Sequence, residues 1–303
     1  SGPYKFVEYQ QGARLVLEAN DKYWGGVPKI KNVTIEFIRD PTARVAAFEA
    51  KRIDVAIDVP IREAQRLGTQ NGVTSSIYPI TDIILLQITK NGGFADDRAR
   101  LAAHHAIDKA AISKALFGGF APPISVPAAI GSPGYPTGYE FKFDAARASA
   151  LLKELGHGPD NPLKIKLAST NGVFPNDFDT ARALVQMWKK VGIEAELEAI
   201  ETSVYQERLR AGTLSEATLF SWGNAAADPE FYGGYLLDPK SIFSAFKTDE
   251  MAPKIQPLLV ETDEAKRLNG YKDAHKFAAE RGFTIPLFQT VKTVVHNNSV
   301  VIV

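Results

Sequence analysis

Hydrophobic and polar residues alternate in several short segments of the chain, and this alternation predicts strands. In the first eighty residues the pattern marks four segments: residues 4–8, 14–18, 33–37 and 53–57. The first two flank a Gln-Gln-Gly turn and predict a hairpin. Asp40 and Pro41 predict a helix through about Ala50, because aspartate accepts bonds from free backbone amides and proline fits the first turn. We therefore expect a strand-rich unit over residues 1–80.

The pattern changes after residue 80, where longer helical segments begin. Residues 83–88 predict a buried strand, and a helix is expected from Arg98. Asp108 and Asp144 predict the starts of two further helices, closed by glycines at 118–119 and 156. Residues 120–143 are rich in Pro, Gly and Tyr and predict a long loop.

The most informative pattern is a strand, a helix and a second strand between residues 163 and 198. Lys164 and Lys166 alternate with apolar residues in the first strand, and Glu194 and Glu196 do so in the second. The helix between them carries Trp188 on its apolar stripe. Such a unit predicts parallel strands joined by a crossover, with the lysine edge beside the glutamate edge.

The segment that follows the next apolar run, Ala217 to Phe220, is the candidate binding loop. It contains Trp222, Gly223, Asn224 and Asp228-Pro229. In open α/β sheets, ligands bind beyond the carboxyl ends of the strands. The alternative interpretation is a core tryptophan followed by an Asp-Pro turn.

The end of the chain predicts one more helix and two closing strands. The helix is expected over residues 263–280 and the strands over residues 284–288 and 292–296. The helix carries an apolar stripe that includes Tyr271 and His275. The chain begins with Ser1-Gly2-Pro3 and ends on the apolar run 300–303, so we expect an excised piece of a longer protein, with a naturally shortened form as the alternative.

Composition excludes several classes of protein. The 303 residues contain 35 basic and 35 acidic side chains, so no overall charge favours nucleic acid or an anionic membrane. With no cysteine, thiol catalysis, thiolate zinc sites and disulfides are excluded. No cofactor-binding motif is present, and no apolar run has membrane-spanning length.

Other candidate chemistry has a simpler structural explanation. His104 and His105 are adjacent and point about 100° apart on a helix, so we expect surface or capping histidines rather than a metal site. Two acidic pairs, Asp96-Asp97 and Asp177/Asp179, stand at predicted helix starts, where carboxylates stabilise free amides. Four tyrosines are candidates for lining a cleft: Tyr135, Tyr139, Tyr205 and Tyr232.

The order of these motifs resembles the extracytoplasmic solute-binding proteins of ABC importers, in the peptide/nickel class. The resemblance covers nearly the whole chain. It rests on these segments: residues 2–6, 20–26, 53–54, 94–100, 106–109, 144–156, 188–193, 222–229 and 285–287.

The resemblance implies an α/β, periplasmic-binding-protein type II-like fold with two lobes and a hinge. One lobe would be complete, with a mixed sheet over residues 81–288, and the other partial, formed by residues 1–80 and a return strand over 289–303. The implied hinge residues are these: Ile80, Thr81, Phe288 and Gln289. It further implies a monomeric, periplasmic or otherwise extracytoplasmic receptor that binds a small ligand and delivers it to permease subunits, without catalysis.

Two positions depart from the peptide-binding relatives. An acidic residue three positions after the tryptophan pairs with the ligand's amino group in those relatives, and here that position is Ala225. Some oligopeptide binders carry an arginine three positions before the tryptophan, where this chain has Leu219. Because burying an unpaired charge is costly, we expect a neutral, sugar-like or blocked ligand, or a peptide held by its backbone.

The expected ligand contacts are these: Trp222, Gly223, Asn224, Asp228, Tyr205 and Tyr232. Trp222 would supply apolar cover, Asn224 hydrogen bonds, and Asp228 an acceptor or support for the loop. Two alternatives remain: a hydrolase, which would need two converging carboxylates, and an interaction module with an exposed apolar edge.

Overall fold

The chain folds into two compact units, seen in a computed structural model that describes residues 2–301. The smaller unit contains the residues before Tyr78 and those from Thr293 onward, and the larger unit contains Tyr78–Lys292. The divisions predicted from the sequence, after residues 80 and 288, fall within the larger unit. Ser1 and the last two residues of the predicted apolar end lie outside the described residues.

Nine strands and ten helices are defined over residues 2–301. The strands are β1 (Tyr4–Gln10), β2 (Arg14–Ala19), β3 (Asn32–Glu36), β4 (Val55–Ile57), β5 (Val73–Ile88), β6 (Leu163–Ser169), β7 (Ile193–Ala199), β8 (Ala217–Trp222) and β9 (Thr284–Asn297). The helices are α1 (Pro41–Glu49), α2 (Ile61–Leu67), α3 (Asp97–His105), α4 (Lys109–Phe117), α5 (Ala145–Glu154), α6 (Asp177–Val191), α7 (Thr202–Ala211), α8 (Gly233–Leu237), α9 (Ala252–Ile255) and α10 (Glu264–Glu280). None of these helices is both long and apolar enough to cross a bilayer.

The smaller unit has an antiparallel sheet in the order β1-β2-β3 and a short pairing of β4 with the end of β9. The predicted cap of α1 is confirmed, because the Asp40 carboxylate accepts the Ala43 amide at 2.7 Å and Pro41 opens the helix. Its core packs α1 and α2 against β4 and β9 through Phe48, Leu67 and Val295. Helix α2 was not predicted.

The larger unit is built on a mixed sheet in the order β9-β5-β8-β6-β7. Strand β6 is parallel to both β7 and β8, while β5 is antiparallel to β8. Lys164 pairs with Glu194 and Lys166 with Glu196 across β6 and β7, which confirms the predicted arrangement of the two charged edges. Helices cover the sheet, and Trp188 of α6 is fully buried with its indole N–H bonded to the Ala103 carbonyl at 2.9 Å.

The prediction of two closing strands is wrong, because β9 is a single strand of 14 residues. The polar residues that suggested a break are buried and bonded to β5. The Gln289 side-chain amide donates to the Ile80 carbonyl at 2.8 Å, and the Thr290 hydroxyl donates to the Asp82 carbonyl at 3.2 Å. All four predicted hinge residues therefore lie inside the continuous strands β5 and β9, and the hinge stays a prediction.

Candidate functional site

Trp222 is the last residue of β8 and stands opposite Ile83 of β5, at the carboxyl end of the strand. Its side chain is half-buried, and its indole N–H donates to the backbone carbonyl of Phe231. The ring is therefore held in one orientation by the segment that follows the loop. Part of it stays exposed to solvent at the sheet edge, where ligands of α/β proteins bind.

Four half-buried rings surround Trp222, and together with it they form what we call the aromatic cluster: Phe220, Trp222, Phe231, Tyr235 and Phe243. The centroid of the Trp222 ring lies 5.3 Å from that of Phe243 and 6.2 Å from that of Tyr235. These separations are typical of favourable aromatic pairs. The cluster therefore presents a preformed apolar surface whose rings hold one another in place.

The buried residue Asn224 fixes the loop after Trp222 through hydrogen bonds. This side chain is only 1% exposed, and its amide group donates to the Asp228 carbonyl at 2.9 Å. The Asn224 backbone carbonyl accepts the Thr81 hydroxyl at 3.0 Å. Its side-chain oxygen, Oδ1, is buried and has no hydrogen-bond partner among the described residues. Asn224 thus shapes the loop and keeps one acceptor unused.

Three consecutive alanines, 225–227, form the exposed tip of the loop. Ala227 adopts a φ of +55°, in the left-handed region that side chains other than glycine rarely occupy. Such backbone strain persists only where the surroundings fix the conformation. The bonds made by Asn224 on one side of the tip and by Asp228 on the other provide that fixation.

Asp228 ends the loop and is already hydrogen-bonded within the protein. Its carboxylate accepts the Glu230 amide at 2.8 Å and two bonds from the Arg267 guanidinium, at 2.7 and 2.9 Å. These bonds to Arg267 lower the pKa of the Asp228 carboxyl. The sequence suggested that Asp228 either accepts a bond from the ligand or supports the loop. These bonds within the protein favour the support of the loop.

Tyr205 and Tyr232 do not line an exposed surface, which corrects the expectation that both are cleft tyrosines. Tyr205 is 4% exposed and its hydroxyl donates to Gln87 at 2.7 Å, while its ring stacks on Phe220. Tyr232 is fully buried and its hydroxyl donates to the Thr81 carbonyl. Burial raises the pKa of Tyr232 to about 12. Both residues are therefore buried and pack behind the candidate site rather than lining it.

Asp82 is a residue of this region that the sequence gave no reason to select. It lies on β5, and its carboxylate is so close to Gly223 that a Cβ there would stand 2.8 Å from Oδ1. The Asp82 carboxylate therefore packs directly against Gly223, and a side chain at this position would displace it. In residues 2–301 no ion pair to this carboxylate is found. Only the antiparallel register of β5 and β8 brings Asp82 to the loop.

Of the two acidic pairs at helix starts, only Asp96 acts as the expected helix cap, and the N-cap of α6 makes no side-chain hydrogen bond. Asp96 accepts the Arg98 amide at 2.9 Å, and its bonds to Arg98 lower its pKa to about 2. Asp97 pairs with Arg281 at 2.8 Å. Asp177 is 2% exposed and accepts four bonds, among them the Gly172 amide at 2.8 Å.

His104 is buried, so the expectation of a surface or capping histidine is wrong for this residue. It is 1% exposed and stacks on Phe141 with ring centroids 3.5 Å apart. Its Nε2 lies 3.1 Å from the ammonium of Lys109, which also donates to the Ile124 carbonyl at 2.8 Å. Burial lowers the pKa of His104, so the ring is neutral and accepts from Lys109. No group of three potential metal ligands occurs within the described part of the chain.

A family profile described as "Bacterial extracellular solute-binding proteins, family 5 Middle" matches residues 1–244. The Di/tripeptide-binding protein 2 of Pseudomonas aeruginosa is 27% identical over 295 residues, which are 95% of this chain and 55% of that protein. The nickel-binding protein NikA of Staphylococcus aureus is 26% identical over 223 residues, 74% of this chain and 45% of that protein. The chain thus spans about half the length of the curated relatives it matches.

Solved structures share the fold. NikA from Brucella suis in complex with Fe(III)-EDTA superposes with a TM-score of 0.86 at 25% identity, covering 100% of this chain and 64% of that one. DppA from Helicobacter pylori in complex with the peptide STSA superposes with a TM-score of 0.83 at 22% identity, covering 98% and 59%. These superpositions confirm the predicted α/β fold of the type II periplasmic binding proteins.

Proposed function

Because the chain belongs to the bacterial extracellular solute-binding proteins of family 5, we propose that it serves as the receptor of an ABC importer. In this role it binds a small ligand outside the cytoplasm and delivers it to permease subunits in the membrane. It acts without catalysis and as a monomer. A ligand with higher affinity for a closed state shifts the protein toward that state, and we infer that the permease recognises the closed form.

The observation that carries this proposal is the half-exposed aromatic cluster at the carboxyl end of β8. Its rings are fixed by mutual contacts and by the bond from Trp222 to Phe231. A rigid apolar surface with few polar groups beside it is typical of small-molecule sites. We infer that Trp222 covers an apolar part of the ligand, and that the exposed backbone of the alanine tip and Asn224 Oδ1 provide polar contacts.

We infer a ligand that is peptide-like but neutral or blocked at its ends. Ala225 is exposed at the loop tip and carries no charge, and Leu219 is 1% exposed in the core. Neither residue pairs with an ammonium or a carboxylate of a ligand. One relative of this chain is named for di- and tripeptides and another for nickel, and the first of these names supports the peptide-like class.

A second ligand class is favoured by Asp82. Its carboxylate lies beside Gly223 and has no ion-pair partner among the described residues, so it offers a negative charge next to the loop. An ammonium group within about 4–6 Å of such a carboxylate is stabilised. A ligand with a free amino group is therefore the second candidate, with Asp82 in place of the acid missing at position 225.

Mass spectrometry of the small molecules retained by the protein, after export and purification from bacteria, tests the proposal. We expect a discrete ligand that denaturation releases and that is absent from a Trp222→Ala variant purified in parallel. Retention of a neutral or blocked molecule supports the first ligand class, and retention of free peptides supports the second. Turnover of generic peptide or glycoside substrates by the purified protein would contradict a receptor without catalysis.

A further inference from the structure

A surface cavity of 320 Å³ opens on the larger unit, where β5 and α7 both end. It is distinct from the aromatic cluster, none of whose five rings lines it. Three cationic side chains contribute to its wall: Lys90, Arg210 and Lys247. Two hydroxyl side chains, Thr89 and Ser244, also line it. Among the described residues that form the wall, none is acidic.

The three cations of this cavity have no acidic partner. All three are exposed, and within the described chain none of them makes an ion pair or a side-chain hydrogen bond. The neighbouring acid Glu216 directs its carboxylate to the Lys166 amide, at 3.1 Å. Like charges around one concavity repel each other and raise the local concentration of anions.

The two hydroxyls of the cavity are buried without partners. Thr89 is 6% exposed and Ser244 is 2% exposed, and neither Oγ has a hydrogen-bond partner in the described residues. A buried hydroxyl without a partner lowers stability, so each instance calls for an explanation. A hydroxyl donates readily to an oxyanion, and such a charge-assisted bond is stronger than one between neutral groups.

The backbone carbonyls at the end of α7 disfavour an anion in the cavity, but the positive charge of the three side chains outweighs their effect. Gly212 closes this helix in a left-handed conformation, with a φ of +69°. The free carbonyls of a helix end act as about half of one negative charge. The three side chains carry three full positive charges, so the net field at the cavity is positive. Exposed cationic side chains alone would form an ordinary solvated patch. The two buried hydroxyls without partners distinguish this cavity from such a patch.

We propose that this cavity binds a small oxyanion of the phosphate class. Lys90, Arg210 and Lys247 supply the positive charge, and the hydroxyls of Thr89 and Ser244 donate to the oxyanion. The site is separate from the one in the proposed function. The proposal of an oxyanion site therefore does not depend on which ligand the aromatic cluster binds.

Calorimetric titration with inorganic phosphate at constant ionic strength, with chloride as the reference anion, tests this site. We expect saturable binding with one phosphate per chain. The double variant Arg210→Gln/Lys247→Gln should weaken it by about tenfold or more, since both changes remove charge-assisted contacts. The matched control is Lys189→Gln/Lys190→Gln, which removes two exposed charges from the last turn of α6. This control should bind phosphate as the parent protein does.

A second variant separates binding from folding. Thr89→Val removes an unpartnered hydroxyl while nearly preserving shape, so the melting temperature without phosphate should stay the same or rise. The same change should weaken phosphate binding severalfold. Three results would overturn the proposal: no saturable phosphate binding, an equal loss in the α6 control, or binding only to phosphatidylglycerol vesicles with no response to free phosphate.

Discussion

Arg267 of α10 holds Asp228 through two parallel hydrogen bonds of 2.7 and 2.9 Å. The guanidinium is 20% exposed and lies 5.2 Å from the ring centre of Tyr271, so its position is fixed on a second side. Through this pair the end of the candidate binding loop is attached to a helix of 17 residues. The conformation of the loop therefore depends on a residue 39 positions later in the chain.

We expect Asp228→Ala to disturb the loop and weaken ligand binding. The change removes a cap bond to Glu230 and leaves the part-buried Arg267 without its main partner. A cost of about 1–2 kcal/mol in the free energy of unfolding follows from the lost cap and ion pair. Urea unfolding measures this cost, and ligand titration measures the change in affinity.

Glu198→Ala is the matched control for this variant. Glu198 also forms two bonds with an arginine, both of 2.8 Å to Arg208, but it lies on β7. The Glu198→Ala variant should lose the stability contributed by its ion pair and keep its ligand affinity. Equal losses of affinity in both variants would contradict a specific role for the Asp228 pair.

Ala225→Asp should create a preference for ligands with a free amino group. Residue 225 is exposed at the loop tip, so an added carboxylate meets no steric or desolvation barrier. We expect a gain of about tenfold for free peptides over their N-acetylated forms, which corresponds to roughly 1.4 kcal/mol. Paired titrations with free and acetylated peptides measure this ratio.

Asp82→Asn decides between the two ligand classes in the same assay. If the ligand is neutral or blocked, this change leaves the ratio of free to acetylated affinity unaltered. A loss of affinity confined to free peptides would instead assign the ammonium to Asp82 and overturn our first choice of ligand.

Tyr205→Phe should loosen the support beneath the aromatic cluster. The Tyr205 hydroxyl donates to Gln87, and the Gln87 amide donates to the Phe243 carbonyl at 3.0 Å. Removing the hydroxyl leaves the buried Gln87 oxygen without its donor, at a cost of about 1–3 kcal/mol. Thermal unfolding should show this loss, with a smaller effect on ligand affinity than that of Trp222→Ala. An unchanged melting temperature would contradict the network.

The stability of the protein should rise with pH in the alkaline range because of Lys109. Burial without a carboxylate partner lowers the pKa of Lys109 to about 7 from its usual 10.5. Between these values the unfolded chain binds more protons than the folded one, so the free energy of unfolding increases with pH. The full difference is roughly 3–5 kcal/mol and is absent below about pH 7.

Lys109→Met tests whether Lys109 causes this increase in the free energy of unfolding with pH. Methionine keeps an unbranched apolar side chain and removes the titrating group, although it leaves the Ile124 carbonyl without its donor. Urea unfolding should show a clearly higher free energy of unfolding at pH 9.5 than at pH 7 for the parent protein. The increase should be smaller for the variant. Identical slopes in the two proteins would contradict the assignment to Lys109.

The parts of the fold set by local interactions were predictable. Helix starts at Asp40, Asp108 and Asp144 follow from short-range capping, and the pairing of β6 with β7 follows from alternating charge. The candidate loop was placed correctly at the carboxyl end of β8 because its strand is a continuous apolar run.

Contacts between distant segments could not be predicted. Asp82 reaches Gly223 only through the register of β5 and β8. The burial of His104 depends on Phe141 in a long loop without regular structure. Tyr205 and Tyr232 were expected to line a cleft because a tyrosine combines apolar area with a hydroxyl, and only the packing of the larger unit buries them.

The most direct measurement of the central claim compares the ligand affinity of two tryptophan variants. Trp222→Ala removes the ring at the centre of the aromatic cluster, while Trp24→Ala removes an 86% exposed ring from the smaller unit. The probe is the tightest binder from a panel of blocked di- to pentapeptides, titrated into each folded variant. We predict a loss of about tenfold or more for Trp222→Ala, because central aromatic contacts dominate binding energy, and little change for Trp24→Ala. Unchanged affinity in Trp222→Ala would contradict the assignment of the binding site to the end of β8.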